Sequence, residues 1–418
     1  MKLSKNLSVG LSTALLTCLC SIAPSQAAST PDPVKIGALL SLTGNWSSLG
    51  TMSETVLEMA KHDVNHYLAA HGAKRRVDLL IKDTRLEPAE ALNQFQQLID
   101  QNVVAVIGPQ SSAEMSYLKA LADSSKKPLL SQGSTASSLA YPHDMLYRLV
   151  PDDTHESAAM TALLTARQVK AVIPIWRNDA GNNGLYQSLT KQFAATGGKV
   201  WPGKRYETDT TDFSNLVSEV EQQLGEALHE FPADSIAIYL AGFDEVVTLF
   251  DTADTHHTLK SVKWYGSDGV AQSQALLNDA TARQFAIAVD YPNPIPGLSD
   301  SAQEKWQSLS NRAFAKTGQR PDAFALAAYD AFWVAALSTV FQPSVITKTQ
   351  RDVIAQTANV YFGATGWTAL NRAGDRRYGD YDFWALRNTA DGGTEWVNVC
   401  HYQQLSKTGG NLVCGDSK

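Results

Sequence analysis

Cysteine is scarce in this chain, and long apolar runs are few. Only four cysteines occur in 418 residues, and no stretch beyond the N-terminal segment reaches the ~18 apolar residues that span a bilayer. The sequence contains no phosphate-binding P-loop and no Gly-x-Ser-x-Gly nucleophile turn. Basic residues do not dominate either, since 42 Asp and Glu face 35 Lys and Arg. These features argue against an enzyme, a bound cofactor, a nucleic-acid partner and an anionic membrane surface.

Residues 1–27 have the composition of a signal peptide. Lys2 and Lys5 give a positive start, residues 7–23 are mostly apolar, and residues 25–27 offer the small residues that a signal peptidase requires. We therefore expect export to the periplasm, which leaves about 391 of the 418 residues and changes the net charge from −7 to −9. One alternative is a membrane anchor, which the polar interruptions disfavour. The other is a lipoprotein anchored through Cys18 or Cys20, which is disfavoured because neither cysteine follows the triplet that lipidation prefers.

Two cysteines remain once this segment is removed. Cys400 and Cys414 are 14 residues apart, and in an exported chain such a pair predicts one disulfide. Closing a loop of ~15 residues would contribute ~3 kcal/mol in the chain-entropy model. Two free thiols are the alternative, and they would require a reducing compartment.

Strand and helix patterns alternate along most of the chain, which is typical of parallel sheets with right-handed crossovers. The pattern restarts after Pro151 and predicts two α/β halves. Strands are predicted at 34–40, 77–81, 103–107, 128–131 and 146–151, and then at 171–176, 199–206, 235–240 and 262–265. The first helix is predicted at 53–70. The remainder predicts a crossing strand or linker within 284–300, helices at 301–317 and 322–340, and strands with polar turns over 365–400.

Polar loops follow three strands of the first half, at 41–50, 108–112 and 131–138. Ligands in such sheets lie beyond the carboxyl ends of the strands. The buried strand ending at Ile107 runs through Gly108-Pro109 into serines that begin a helix, so amides, hydroxyls and a helix dipole converge there. We expect this turn to hold a carboxylate of a small ligand. A serine that merely caps the helix is the alternative.

Further motifs occur in a consistent order between residues 34 and 400. They are Leu42-Thr43-Gly44, Asp83-Thr84, Ile107-Gly108-Pro109, Ser134-Thr135-Ala136, Arg148 with Pro151, Thr211-Asp212-Phe213, Gly266-Ser267-Asp268-Gly269, Ala328-Tyr329-Asp330-Ala331 and Gly374-Asp375. With these motifs the chain resembles the periplasmic solute-binding proteins of ABC importers, in the leucine/isoleucine/valine-binding protein family.

This resemblance implies the type I periplasmic binding protein fold, with two Rossmann-like lobes of parallel sheet joined by a three-crossover hinge. Lobe one would comprise 34–151 plus 291–372, and lobe two 152–290 plus 373–418. The implied function is capture of an amino acid or related carboxylate/amine solute by hinge closure, for delivery to an ABC permease by a monomeric protein. A periplasmic sensory or regulatory receptor of the same fold, for an amide or a carboxylate, is the alternative.

The resemblance also implies which residues of lobe one bind the ligand. Ser112 matches the serine whose hydroxyl and amide hold the ligand carboxylate, and Ser111 and Ser134 lie in the same turns. Thr135 matches a threonine shared by carboxylate and ammonium, and the Gly133 carbonyl would accept a hydrogen bond from the ammonium. Simple turn formation is the alternative for Gly133 and Thr135.

An acidic residue and two aromatic residues complete the implied site. Asp268 matches the residue that pairs with the ligand ammonium, although Asp-Gly is also a common turn signal. Trp46 and Phe243 would lie against the ligand, or else pack within their own lobes. The loop 179–184 lacks the family's aromatic residue, because Gly181 occupies its position. We expect this loss to leave room for a larger or more polar side chain, with Asn182 or Asn183 as hydrogen-bond donors.

Overall fold

A computed structural model describes residues 32–340, 350–406 and 409–415. The predicted signal peptide at 1–27, with Cys18 and Cys20, lies outside the described residues.

The first half contains a five-stranded sheet in which every strand pair is parallel, in the order β2-β1-β3-β4-β5. The strands are β1 Val34–Leu40, β2 Val77–Asp83, β3 Ala105–Ile107, β4 Leu129–Ser131 and β5 Leu146–Arg148. The helices that cover it are α1 Ser47–Ala70, α2 Pro88–Asp100 and α3 Ser112–Ser125. β3 is two residues shorter than predicted, and α1 begins six residues earlier, so the loop after β1 is shorter than expected.

The second half repeats this arrangement with the sheet order β10-β9-β6-β7, and β8 also pairs with β6. Its elements are α4 Asp153–Ala166, β6 Ala171–Arg177, α5 Ala180–Ala195, β7 Lys199–Val200, β8 Lys204–Tyr206, α6 Ser214–Glu230, β9 Ile236–Ala241, α7 Val246–Ala253, β10 Lys263–Tyr265, α8 Gln274–Asn278 and α9 Ala280–Ala288. The single strand predicted over 199–206 is interrupted at Gly203. This residue has φ 66°, and a side chain there would collide with the Pro174 carbonyl.

The last part of the described chain adds helices to the first half and an antiparallel sheet to the second. Its elements are β11 Asn293–Pro296, α10 Gln303–Thr317, α11 Ala323–Val340, α12 Gln350–Val360, β12 Phe362–Gly363, β13 Gly366–Trp367, β14 Tyr381–Asn388, β15 Thr394–Ser406 and β16 Gly409–Cys414. The sheet order is β11-β14-β15-β16. The crossing strand predicted within 284–300 is therefore only β11, because residues up to Ala288 are helical. Helices α8, α9 and α12 were not predicted.

The predicted disulfide is present. Cys400 on β15 and Cys414 on β16 are directly opposite each other in the antiparallel register and are joined by a disulfide bond.

α11 is long and apolar enough to cross a membrane, with a mean hydropathy of 1.5 over 18 residues, but 72% of that window is buried inside the protein. It packs in the same apolar core as α1 and β1. The helix is therefore a core element. The prediction that no stretch outside the signal peptide is apolar enough to span a bilayer is wrong for this helix.

The two parallel sheets and the connections between them confirm the predicted fold class. At one crossover Arg148, at the end of β5, forms a fully buried ion pair with Asp375 at 2.6 Å. The same guanidinium donates to the Ala136 carbonyl at 2.5 Å and so ties the crossover to the turn after β4. The exact assignment of residues to the two lobes remains a prediction.

Candidate functional site

A narrow cleft separates the loop ends of the two parallel sheets. Seven of the eight predicted ligand residues line it, the exception being Ser134, together with three residues from the start of α5. The full lining is Trp46, Ser111, Ser112, Gly133, Thr135, Gly181, Asn182, Leu185, Phe243 and Asp268. The structure thus brings together the residues that the sequence placed at strand ends in both halves.

Ser111 caps the N-terminus of α3. Its hydroxyl accepts a hydrogen bond from the Glu114 amide at 3.2 Å, and the Glu114 carboxylate accepts from the Ser111 amide at 3.0 Å. This reciprocal arrangement is a capping box. Ser112 is consequently the first helical residue, and the alternative that it acts only as the cap is wrong.

The Ser112 hydroxyl links the turns after β3 and β4. It accepts from the amides of Thr135 at 3.2 Å and Ala136 at 3.0 Å, and it shares a hydrogen bond with the Ser134 hydroxyl at 3.0 Å. Ser134 therefore lies behind Ser112 rather than in the cleft. A ligand carboxylate would have to replace these contacts or use the first-turn amides of α3, which have no acceptor within the helix.

Trp46 has an unusual backbone conformation in the loop before α1. Its φ of 58° and ψ of 27° are left-handed, which is uncommon for a bulky residue. Its amide donates to the Asn45 side chain at 3.0 Å, and its carbonyl accepts from the Gln110 side chain at 3.3 Å. Such strain persists where surrounding bonds fix it, and here it places the indole in the cleft with only 4% exposed.

Contacts between the two halves close the cleft, and we call the following three the closing contacts. The Trp46 and Phe243 rings stack with centroids 4.5 Å apart. Asn45 Nδ2 donates to Glu245 Oε2 at 2.7 Å, and Ser48 Oγ donates to Asp244 at 3.1 Å. The cleft retains about 10 Å³, no more than the ~10–15 Å³ that one water needs. This is a closed form, so a ligand requires separation of the two rings.

The region predicted as loop 177–184 is largely the start of α5. Asp179 caps this helix, since its carboxylate accepts from the Asn182 amide at 2.9 Å and side chain at 3.0 Å. A Cβ added at Gly181 would lie 3.5 Å from the Ser112 side chain. The helix start therefore lies against Ser112 in this closed form, and the expectation that the missing aromatic side chain leaves extra room stays a prediction. Asn183 bonds within its own lobe instead of lining the cleft.

Three buried carboxyl groups lie beside Thr135. Asp153, Glu156 and Asp268 are 0%, 1% and 6% exposed. The Asp153 amide donates to the Thr135 carbonyl at 2.9 Å, and the Asp268 amide donates to Glu156 Oε1 at 3.3 Å. Within the described chain, neither oxygen of Asp153 nor Oε2 of Glu156 accepts a well-formed hydrogen bond. Unpaired buried carboxylates are costly, so this group requires protons or a cation.

The pKa values of these carboxyl groups indicate that protons neutralise the cluster. Burial raises the pKa of Asp153 to about 8; the Asp268 carboxylate adds to the rise, and Thr135 and Arg148 oppose it. Burial also raises the pKa of Asp268 to about 7. Burial and the two aspartates raise the pKa of Glu156 well above its ordinary value. With a pKa of about 8, Asp153 holds a proton at neutral pH.

Asp153 and Glu156 were missed in the sequence. Acidic residues in the first turn of a helix are favoured by its dipole, so the pair resembled an ordinary helix start. The available signal was the position of Asp153 directly after the crossover at Pro151, where the ligand cleft begins. Across the described residues, no group of three His, Cys, Asp or Glu has an arrangement suited to a metal ion.

Two parallel sheets joined by crossovers, with polar turns and aromatic walls meeting across a cleft, define a two-lobed protein of the type I periplasmic binding protein fold. The family model for the receptor family ligand binding region matches residues 52–389. The chain therefore belongs to this family, whose members and neighbours are binding proteins and receptors.

Curated relatives share about a quarter of the aligned residues with this chain. An uncharacterized protein of Methanocaldococcus jannaschii is 26% identical over 386 residues, which cover 88% of this chain and 90% of the relative. Glutamate receptor 3.7 of Arabidopsis thaliana is 25% identical over 318 residues, which cover 73% of this chain but only 32% of that receptor.

Solved structures share the fold at low sequence identity. A leucine-binding protein, LivK, from Thermotoga maritima superposes with a TM-score of 0.69 at 20% identity, covering 87% of this chain and 97% of the other. A type 1 periplasmic binding protein from Bordetella pertussis gives 0.73 at 17% identity, covering 88% and 100%. A solute-binding protein from Rhodopseudomonas palustris in complex with benzoate gives 0.68 at 17% identity, covering 92% and 98%.

Proposed function

We propose that this chain is the periplasmic substrate-binding component of an ABC importer, and that it captures an amino acid or related small solute bearing a positively charged nitrogen. The observation that carries the proposal is the pairing of unlike chemistries across one cleft. Hydroxyls and amides of the Ser112–Ala136 turns lie on one side, with the buried Asp153 next to Thr135, and the carboxyl of Asp268 lines the other.

The positively charged nitrogen binds beside Thr135. Its carbonyl and the Asp153 carboxyl are adjacent, because the Asp153 amide bonds that carbonyl, and Asp268 lines the same cleft. An ammonium there makes charge-assisted hydrogen bonds in a site without bulk water. It also relieves the unpaired state of the buried Asp153 oxygens.

The body of the ligand lies against Trp46 and Phe243. The ring stack must open to admit it, and the rings then close on the ligand rather than on each other. The ligand favours the closed state by as much as it binds that state more tightly than the open one. A compact solute is favoured, since the start of α5 approaches Ser112 closely.

A sensory or regulatory receptor is the second candidate, and the match to plant glutamate receptors favours it. The closed form would then be recognised by a partner protein rather than by a permease. The site chemistry is the same in both cases. Uptake of the ligand by cells with and without this gene separates them, since a transport component is required for uptake and a sensor is not.

Thermal unfolding with a panel of compounds tests the site. The panel contains amino acids, primary amides, urea, aliphatic diacids and aromatic acids. A ligand at about a thousand times its dissociation constant adds ~4 kcal/mol to stability, which is visible as a higher midpoint. We expect only compounds with both a carboxylate and a charged nitrogen to raise it. An equal rise with benzoate or a diacid would refute the role assigned to the carboxyl cluster.

The variant Asp268→Asn and the control Asp209→Asn remove the same charge. Asp209 is exposed in the loop before α6. We expect Asp268→Asn to weaken the identified ligand by ~2–5 kcal/mol, as for a desolvated charge pair, and Asp209→Asn to leave affinity unchanged. Equal affinities of the two variants would overturn the cationic subsite.

A further inference from the structure

A second cavity lies outside the cleft, and we call it the junction cavity. Its volume is about 450 Å³, within the ~300–1,000 Å³ typical of small-molecule sites. One wall is formed by α10 and the start of α11, and the other by β11, β14 and β15. The residues used below are Trp306, Asp322, Asp382, Trp384 and His401, all of which line it.

The strand wall is a consequence of strand geometry. Asp382 and Trp384 are two apart on β14 and therefore point to the same face of the sheet. His401 is the register partner of Asp382 on β15. On the helical wall, the Trp306 indole donates to the Ser299 carbonyl at 3.2 Å, which fixes the ring. Two partly buried indoles thus reach the cavity from different walls.

Asp322 is the partly buried carboxylate of this cavity that lacks a basic partner among the described residues, whereas Asp300 is exposed. Its carboxylate caps α11 by accepting from the Ala325 amide at 2.7 Å. In the described part of the chain no Lys, Arg or His forms an ion pair with it, whereas Asp382 pairs with His401 at 2.8 Å. Arg320 at the rim is directed to α10, where it donates to Asn311 at 3.1 Å.

The charge balance of the cavity therefore favours a cation. Its ionisable lining consists of Asp300, Asp322 and Asp382 against Arg320 and His401. Burial raises the pKa of Asp322 to about 6, against the backbone hydrogen bonds of the helix start. The carboxylate is then ionised at neutral pH, and it lies beside apolar surface from Ile295, Leu298 and Leu326.

We propose that the junction cavity is a second small-molecule site, for an aromatic amine whose ring packs on the indoles of Trp306 and Trp384 and whose ammonium pairs with Asp322. Indole faces attract cations and stack with aromatic rings. This site goes beyond the function proposed for the cleft and does not depend on it, because the two share no lining residue.

Occupancy of the junction cavity is coupled to lobe closure. The helical wall belongs to the predicted lobe one, and β14 and β15 belong to the predicted lobe two. A ligand that contacts both walls binds best at one lobe orientation, and by reciprocity a cleft ligand that fixes this orientation raises its affinity. A much smaller space lies between the two sites, lined by Trp46 of the cleft and by Gln272 and Asp322 of the junction cavity.

The test uses 2-phenylethylamine, with 2-phenylethanol and 3-phenylpropanoate as uncharged and anionic counterparts. Binding to the intact mature protein is followed by calorimetry and by tryptophan fluorescence. We expect the amine to bind more tightly than both counterparts. Its affinity should rise as pH increases through about 6, where Asp322 ionises. Equal binding of 3-phenylpropanoate would overturn the proposal.

Three variants locate the binding. Asp322→Asn keeps a good helix cap, and we expect it to weaken the amine by about ten-fold or more without affecting the alcohol. Trp384→Leu should weaken both. Asp268→Asn should change neither, since it lies in the cleft. Amine binding that is lost only in Asp268→Asn, or that survives Asp322→Asn and Trp384→Leu, would overturn the second site while leaving the proposed function of the cleft standing.

Discussion

Protonation of the carboxyl cluster gives a measurable pH dependence of stability. The pKa of Asp153 is about 8 in the folded protein and 3.8 without the fold. Because the folded-state pKa is raised, the folded protein binds this proton more tightly. The stabilisation is complete below pH ~4 and is lost as pH rises towards 8. At ~1.4 kcal/mol per pKa unit, the loss amounts to ~6 kcal/mol.

Comparison with Asp153→Asn isolates this effect from other ionisable groups. The pKa values of Asp63, Asp83 and Asp290 are lowered, so these residues change stability with pH in the opposite direction. We expect wild type and variant to have similar unfolding free energies at pH 4. By pH 8.5 the variant should be more stable by up to ~6 kcal/mol. Urea unfolding at several pH values measures the difference.

Ligand binding should release protons from the same carboxyl cluster. At pH 7 Asp153 holds a proton and Asp268 is about half ionised. A bound ammonium favours the ionised carboxylates, so protons are released and affinity falls as pH decreases below about 7. Calorimetry in buffers of different ionisation enthalpy counts these protons. Stability differences that do not vary with pH, together with binding that releases no proton, would refute this account of the cluster.

Two further predictions concern the scaffold. Replacing Cys400 and Cys414 by serine opens a 15-residue loop, and we expect a loss of ~3 kcal/mol in denaturant unfolding; an unchanged midpoint would contradict the stabilising role of the disulfide. Arg148→Met leaves Asp375 buried without its partner at 2.6 Å, so we expect a loss of ~3–5 kcal/mol. The double change Arg148→Met with Asp375→Leu should recover part of this loss, and failure to recover any would show that the bond to Ala136 matters more than the charge.

The strand ends that form the cleft could be predicted because their chemistry is local. Ser112 and Thr135 each follow a buried apolar strand of the first half, and parallel topology brings such ends together. Asp268 was implied by the family resemblance. Trp46 was predicted from its loop, but its contact with Phe243 depends on lobe closure. No local pattern encodes that distance.

The features that the sequence did not predict have a different physical origin. α5 begins at Ala180 because the Asp179 side chain caps it, whereas the glycines at 181 and 184 indicated a loop. The importance of Asp153 and Glu156 depends on burial against Asp268, 112 residues from Glu156 along the chain. The second cavity depends on the packing of β14 against α10, which periodicity does not reveal.

The closing contacts have a kinetic consequence. Asn45 and Ser48 bind residues of the opposite half directly, so any partner that empties a loaded cleft must first break protein–protein contacts. These contacts contribute a part of the barrier to opening that is the same for every enclosed solute. Differences in dwell time between solutes then come from what each solute itself contacts across the cleft.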